Sequence, residues 1–283
     1  MAYGSGDSKY NAAMKTLTEF MAHFDIPSQA ESRRLLRTIA GAFATLPYEN
    51  ITKIIKREEC GNPEKARRYP EEVIRDHIAW GTGGTCFSLT SALMHLVRSL
   101  GWEAEYILAD RRYGQNTHCA LLVRIDGIPH LLDPGYLITD PIPLFGQSER
   151  EFKTSFNRLV LTPDEGRNKI SLSTIRRGER MYRLSYKTSP VDTGEFCKAW
   201  DASFSWDMMR YPLLTRMADS RQTYLRGFRF QISDGDSVER EEIAVDDLIA
   251  KIAAEFLIHP SVVARAVSIL RDRGEIGGKT SNR

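Results

Sequence analysis

Apolar residues in the N-terminal part of this chain recur with a helical period. Residues 14–24 form an amphipathic stretch that ends before Asp25-Ile26-Pro27. Ser28 and Glu31 have the spacing of a capping box, which predicts a helix over 28–43. That helix would carry Leu35, Leu36, Ile39 and Phe43 on one face, with Pro47 beyond its end. Residues 46–51 hold a polar pair, Glu49-Asn50, between apolar neighbours, a pattern that suits a cap on the following turn. The charged stretch 56–68, with Gly61 and Pro63, reads as a solvated loop whose basic residues are no binding patch. Residues 70–80 read as a helix with Glu71 and Glu72 in its first turn. The strongest helical signal follows. Leu89, Leu93, Leu96, Val97 and Leu100 line one face, and Gly101 supplies the stop.

Beyond residue 102 the period changes. Residues 103–109 read as a strand and 110–116 as a loop. The apolar stretches 118–125 and 128–133 flank Asp126-Gly127, the strongest short-range signal for a hairpin. With those two residues as the turn, Ile125 faces Ile128 and His118 falls opposite Gly135. Asp133 then lies two residues away on the face of His118, a diagonal separation of roughly 7–8 Å at the backbone. A two- or four-residue turn preserves this pairing, and a three-residue turn sends the two side chains to opposite faces. Residues 140–143 (Asp-Pro-Ile-Pro) are expected to break regular structure. Short strands are predicted over 158–161, 169–174 and 181–187, a loop over 188–199, and a looser hairpin built from 223–230 and 238–243. Phe204 and Trp206 could line a pocket, though core packing is the commoner use of such residues. Helices are predicted over 245–257 and 261–271, with a frayed tail from Gly274 onward.

Composition narrows the class. With 42% hydrophobic and 27% charged residues, the 283-residue chain reads as an ordinary globular protein large enough for two or three subdomains. A net charge of +2 gives no reason to expect nucleic acid as a partner. No apolar stretch approaches a membrane span, and residues 1–10 do not resemble a signal peptide. The four cysteines (Cys60, Cys86, Cys119, Cys197) are scattered without a C-x-x-C pair, which argues against a disulfide scaffold or structural zinc and for a reducing, cytoplasmic setting.

Three residues then stand out. Cys86 follows Gly83-Gly84-Thr85 at the start of the strongest helix, where glycines let backbone approach a ligand and a helix N-terminus lowers a thiol pKa. Taken alone it reads more readily as a buried cysteine in a helix cap. His118 opens one strand and Asp133 closes its partner. A thiol nucleophile, an imidazole that takes its proton and a carboxylate that orients the imidazole are the needs of nucleophilic catalysis. His118 could instead be a core histidine and Asp133 a turn former. Cys119 should face away from His118 into the core. A metal held by Cys86, His118 and Asp133 would lack local ligand spacing, and none is expected.

Four stretches carry a resemblance: Gly83-Gly84-Thr85-Cys86-Phe87, residues 118–123, Leu132-Asp133-Pro134-Gly135-Tyr136, and Pro47-Tyr48-Glu49-Asn50-Ile51. Together they resemble the arylamine N-acetyltransferase family. The resemblance implies an α+β fold with an N-terminal helical bundle, an antiparallel β-barrel, a C-terminal α/β lid and a cysteine-proteinase-like core. The corresponding expected domains are 1–85, 86–190 and 191–283, the last holding a three-stranded sheet closed by a helix. It also implies acetyl transfer from acetyl-CoA to a small-molecule arylamine, hydrazine or related amine through a Cys86 thioester. In that reading His118 is the general base and acid, Asp133 its orienter, and no metal or membrane takes part. Three positions depart from the family's usual pattern. Thr82 and Thr85 replace an arginine and an aromatic residue beside the cysteine, and Leu137 replaces a glycine where the coenzyme A arm approaches. Without that arginine, Glu49 is expected to find another partner, Arg111 or Arg112. A leucine at 137 would narrow the coenzyme slot. A CoA-independent amide synthase, a transglutaminase- or peptidase-like hydrolase, or a binding protein with a vestigial triad therefore stay open as alternatives.

Overall fold

The computed structural model describes residues 5–144, 148–234 and 237–276. Helices dominate its first part: α1 (Ser5–His23), α2 (Ser32–Phe43), α3 (Ile51–Cys60), α4 (Pro70–Trp80) and α5 (Cys86–Ser99), with the two-residue strand β1 (Tyr48–Glu49) before α3. Eight strands follow: β2 (Ala104–Arg111), β3 (Gly114–Ile125), β4 (Ile128–Asp133), β5 (Ile138–Pro143), β6 (Arg150–Lys153), β7 (Arg158–Asp164), β8 (Lys169–Arg176) and β9 (Glu179–Lys187). They form one curled antiparallel sheet in the order β5-β4-β3-β2-β9-β8-β7-β6. After α6 (Thr193–Ala202) come β10 (Leu213–Ala218), β11 (Arg221–Arg226), β12 (Arg229–Asp234), β13 (Ser237–Glu242), α7 (Leu248–Phe256) and α8 (Pro260–Asp272). The mixed α+β class is as expected. No described helix is long and apolar enough to cross a membrane.

The second sheet has five strands in the order β1-β10-β11-β12-β13, not the three expected. Its extra members are β10 and β1, whose Tyr48 and Glu49 pair with Thr215 and Leu214. This pairing ties the helical part to the C-terminal part beside Cys86. The predicted strand 223–230 folds back on itself at Gly227, whose φ of 61° suits the turn between β11 and β12. Residues 235 and 236 of the looser hairpin, and the tail from 277, lie outside the described residues.

Other boundaries shift for local reasons. Glu31, not Ser28, caps α2: its carboxylate accepts from the N–H groups of Arg33 and Arg34 at 3.1 Å each. The first half of the supposed loop 56–68 completes α3, which Gly61 ends in a left-handed conformation. The loop expected at 110–116 shrinks to a turn at Arg112-Tyr113, because β2 and β3 run on until Arg111 pairs with Gly114. Residues 140–143 stay in β5, an edge of the sheet, where prolines leave no ladder bond unmade. Within the expected loop 188–199, Asp192 accepts from the N–H of Glu195 at 2.8 Å and starts α6.

Helix α5 sits between two apolar cores. Leu93, Leu96 and Val97 pack with Phe20, Leu36, Ile39, Val73 and Leu121. Cys86 and Phe87, about two turns earlier, belong to the cluster of Phe196, Trp200, Leu214 and Phe256. Each buried leucine contributes about 1.5–3 kcal/mol, so the helix that carries Cys86 is held rigidly from both sides.

Lys53 of α3 is an expensive member of this interior. It is 4% exposed, donates to the carbonyl and hydroxyl of Ser203 at 2.9 and 2.5 Å, and lies 4.4 Å from the centre of the Phe204 ring. Burial lowers its pKa from 10.5 to about 7, against the opposing pull of Cys86. A lysine with a lowered folded pKa destabilises the protein fully below that value, and the cost vanishes as pH rises past the unfolded value. Lys53→Met is therefore expected to stabilise the fold by about 1–3 kcal/mol at pH 7, net of the lost Ser203 bonds. Denaturant titrations should show the gain shrinking steadily towards pH 10.5. A gain that does not change with pH would rule out this account of Lys53.

Candidate active site

The loop before Cys86 is shaped by close backbone packing. A side chain on Gly83 would meet the Pro47 carbonyl oxygen at 1.8 Å, and one on Gly84 would meet the Ser88 hydroxyl at 2.3 Å. The N–H of Glu49 donates to the Gly84 carbonyl at 2.9 Å, and that of Gly84 to the Pro47 carbonyl at 3.3 Å. The two glycines thus serve the chain's own close approach, whereas the sequence pattern alone pointed to a ligand. Thr85 then takes the extended N-cap conformation without a side-chain cap bond, and Cys86 becomes the first residue of α5. First-turn N–H groups of a helix have no intrahelical partner and carry its positive end.

The hairpin has the expected register. Ile125 pairs with Ile128 and Leu121 with Leu132 across Asp126-Gly127. His118 and Asp133 meet: Nε2 of the ring lies 2.6 Å from Asp133 Oδ2. The same carboxylate oxygen accepts from the Tyr186 hydroxyl at 2.7 Å, and Oδ1 accepts from the N–H of Gly135 at 3.1 Å. Tyr186 had no local signal in the sequence. It reaches Asp133 because β9 and β3 both pair with β2, where Ala109 stands opposite Tyr186 on one side and His118 on the other. Alanine at that position leaves room for the Tyr186 ring on the shared face. With Nε2 engaged, Nδ1 is the ring nitrogen left to bond the Cys86 side chain.

Electrostatics favour an ionised thiol. Cys86 is held well below the ordinary thiol pKa, first by the hydrogen bond from Cys119, then, against burial, by the bond and charge of His118 and the charge of Arg111. Burial alone would lower the His118 pKa, but the charge and bond of Asp133 and the bond to Cys86 raise it. Cys119 is fully buried, as expected, yet it does not simply face away from the site. Its Sγ bonds Cys86 and lies 3.3 Å from Thr90 Oγ1, one turn along α5 from Cys86. Burial keeps Cys119 itself protonated. Alkylation of Cys86 by iodoacetamide should therefore persist well below the ordinary thiol range. Cys119→Ala should move the titration upward, as read from the pH dependence of the alkylation rate. An unmoved profile would contradict this role for Cys119.

Arg68 partners Glu49, in place of the expected Arg111 or Arg112. Both side chains are buried, with Arg68 Nη1 3.7 Å from Glu49 Oε1. Nη1 also donates to Thr52 Oγ1 and the Gly83 carbonyl at 2.7 Å each, and Nη2 to Asp76 at 2.9 Å. Glu49 accepts from the Thr52 N–H at 2.8 Å and its hydroxyl at 2.6 Å, which caps α3. Asn50 donates to the carbonyls of Met208 and Tyr211 and accepts from the N–H of Leu213 at 2.8 Å. The Glu-Asn pair is thus part cap and part clamp between the two halves of the fold. Arg112 stacks over the Tyr182 ring at 5.4 Å. Arg111 goes to the site itself, with Nη2 3.3 Å from His118 Nδ1. Thr82 is buried, and its hydroxyl has no hydrogen-bond partner among the described residues. Leu137 holds φ at 62°, the left-handed region a glycine enters freely.

A family model described as N-acetyltransferase matches residues 34–262, most of the chain and all of the site. The chain belongs to the arylamine N-acetyltransferase family. A search of curated proteins finds no match. Solved structures share the fold at low identity. The arylamine N-acetyltransferase from Mycobacterium abscessus is 14% identical with a TM-score of 0.79, covering 95% of this chain and 99% of its own. The Salmonella typhimurium enzyme is 16% identical with a TM-score of 0.73, covering 89% and 98%. The Mycobacterium marinum enzyme in complex with CoA is 15% identical with a TM-score of 0.75, covering 90% and 98%. The protein is thus an N-acetyltransferase enzyme by family. Among the described residues, no group of three or more His, Cys, Asp or Glu side chains could hold a metal ion.

Proposed function

We propose that this enzyme moves an acetyl group from acetyl-CoA to a small-molecule amine through a thioester on Cys86. The observation that carries the reading is the Cys86-His118-Asp133 arrangement, with the thiol at a helix start and the His118–Asp133 contact at 2.6 Å. The Cys86 thiolate attacks the thioester carbonyl, and first-turn N–H groups of α5 face the developing oxyanion. As the carbon–sulfur bond to the coenzyme breaks, His118 supplies a proton to the departing thiolate. An arylamine or hydrazine then attacks the Cys86 thioester, His118 takes its proton, and the thiolate is restored. Asp133 keeps the His118 ring oriented through Nε2 and stabilises the imidazolium, while Tyr186 and the Gly135 N–H hold the carboxylate still.

Acetyl-CoA as donor is supported by the family and by the CoA complex of the Mycobacterium marinum enzyme. The four free cysteines suit a reducing, cytoplasmic setting. Initial rates with acetyl-CoA and an arylamine varied together test the reaction path. Parallel lines in double-reciprocal plots are expected, since the first product leaves before the amine binds. Intersecting lines would instead require both substrates at once and reject the thioester path.

A further inference from the structure

Two arginines of the adjoining interior, Arg67 and Arg68, are paired with carboxylates, and Arg111 is not. Arg68 has Glu49 and Asp76, and Arg67 has Asp201. Arg111 donates through Nη1 to the Thr117 carbonyl at 3.0 Å and the Tyr113 hydroxyl at 3.1 Å. Its Nη2 lies 3.3 Å from His118 Nδ1 and 3.5 Å from the Tyr136 hydroxyl. Among the described residues, no carboxylate stands within ion-pair distance of it. A guanidinium withdrawn from water with only neutral partners is costly, because desolvation is repaid only by an opposite charge. The Cys86 thiolate and Arg111 each favour the charged form of the other. That counter-charge disappears when Cys86 carries an acyl group. The acyl-enzyme is then left with a planar, five-donor cation beside His118, bordered by two tyrosine hydroxyls. Tyr113 is 75% exposed, so this side of the site is open to a ligand.

We infer that Arg111, flanked by the hydroxyls of Tyr113 and Tyr136, recognises a carboxylate on the substrate that reacts at Cys86. The enzyme then prefers acidic acyl groups or acidic amines to their neutral counterparts. A carboxylate matches the guanidinium fork with two parallel bonds and leaves lone pairs for the tyrosine hydroxyls, which a neutral acetyl group or a plain arylamine cannot do. The inference rests on Cys86 being the site of acyl chemistry but not on the identity of the donor.

Two alkylating agents make the test independent of any thioester. Iodoacetate and iodoacetamide put the same carbon on Cys86, one with a carboxylate and one with a neutral amide. The wild-type ratio of their rates should exceed that of free glutathione under the same conditions. Arg111→Gln should lower the ratio by about tenfold or more, the worth of a charge-assisted bond, while Arg111→Lys should keep part of it. Taking a ratio removes any change in Cys86 ionisation common to both reagents. Two further pairs then locate the carboxylate. Loading of Cys86 by malonyl-CoA against acetyl-CoA, followed by intact mass, reads the acyl side. Turnover with 4-aminobenzoate against aniline reads the acceptor side. An Arg111-dependent preference in either pair supports the site and names the source. A reagent ratio that Arg111→Gln leaves unchanged, or a choice in both substrate pairs that ignores Arg111, overturns it. Should wild type load no thioester at all, the acyl-transfer reading fails while the reagent ratio still decides the carboxylate site.

Discussion

Replacing Cys86 by alanine is expected to lower acetyl-transfer turnover by about 10⁴-fold or more, the loss typical of removing the nucleophile of a triad. No neighbouring group can take its place. Cys119 is the nearest other thiol, but burial holds its pKa well above the ordinary value, so it stays protonated and poorly nucleophilic. The substitution removes one small side chain from a cluster that includes Phe87, Phe196 and Trp200, and the fold should survive it. A melting curve within a few degrees of wild type, together with the lost turnover, separates a chemical role from a structural one. Turnover within tenfold of wild type would mean that the chemistry runs elsewhere.

The second large effect concerns stability. Arg68→Ala is expected to cost about 3–5 kcal/mol in denaturant unfolding, the penalty for leaving one partner of a buried ion pair alone. Glu49 is fully buried, and without Arg68 its side chain keeps, among the described residues, the N–H and hydroxyl of Thr52. The Gly83 carbonyl loses its donor in the same step, so the loop before Cys86 loosens as well. The double variant Arg68→Met with Glu49→Gln should recover much of the loss, because no charge is then stranded. A single-variant cost below about 1 kcal/mol would show that no buried charge is stranded at Glu49, contrary to this account.

The same pair of residues marks how far the sequence could be read. What depended on neighbours in the chain was legible. Asp126-Gly127 can only close a tight turn, and that turn alone carried His118 and Asp133 to one face. The helix after Cys86 was equally plain, because its apolar residues repeat over more than three turns. What depended on residues far apart was not. Arg68 looked like one more charge in a solvated stretch, yet it takes over the Glu49 partnership that the family's usual arginine would supply at position 82. Nothing in the order of residues says which of many arginines folds inward. Tyr186 lies 53 positions from Asp133 and meets it only through the pairing of β9 with β2. Strand β1 was hidden because two residues have no period, and it exists only because β10 arrives from the far end of the chain. Errors at helix starts had a simpler cause. Ser28 and Glu31 fit a capping-box spacing, but Glu31 satisfies the first-turn donors itself.

The central claim is that Cys86 becomes acylated. The most direct measurement is the intact mass of the protein after incubation with acetyl-CoA in the absence of an amine. Wild type should gain the mass of one acetyl group, mapped to the peptide containing Cys86 and lost again when an arylamine is added. Cys86→Ala should gain none. An unmodified wild-type protein with a reactive thiol, or an acetyl group that persists in Cys86→Ala, would contradict the account.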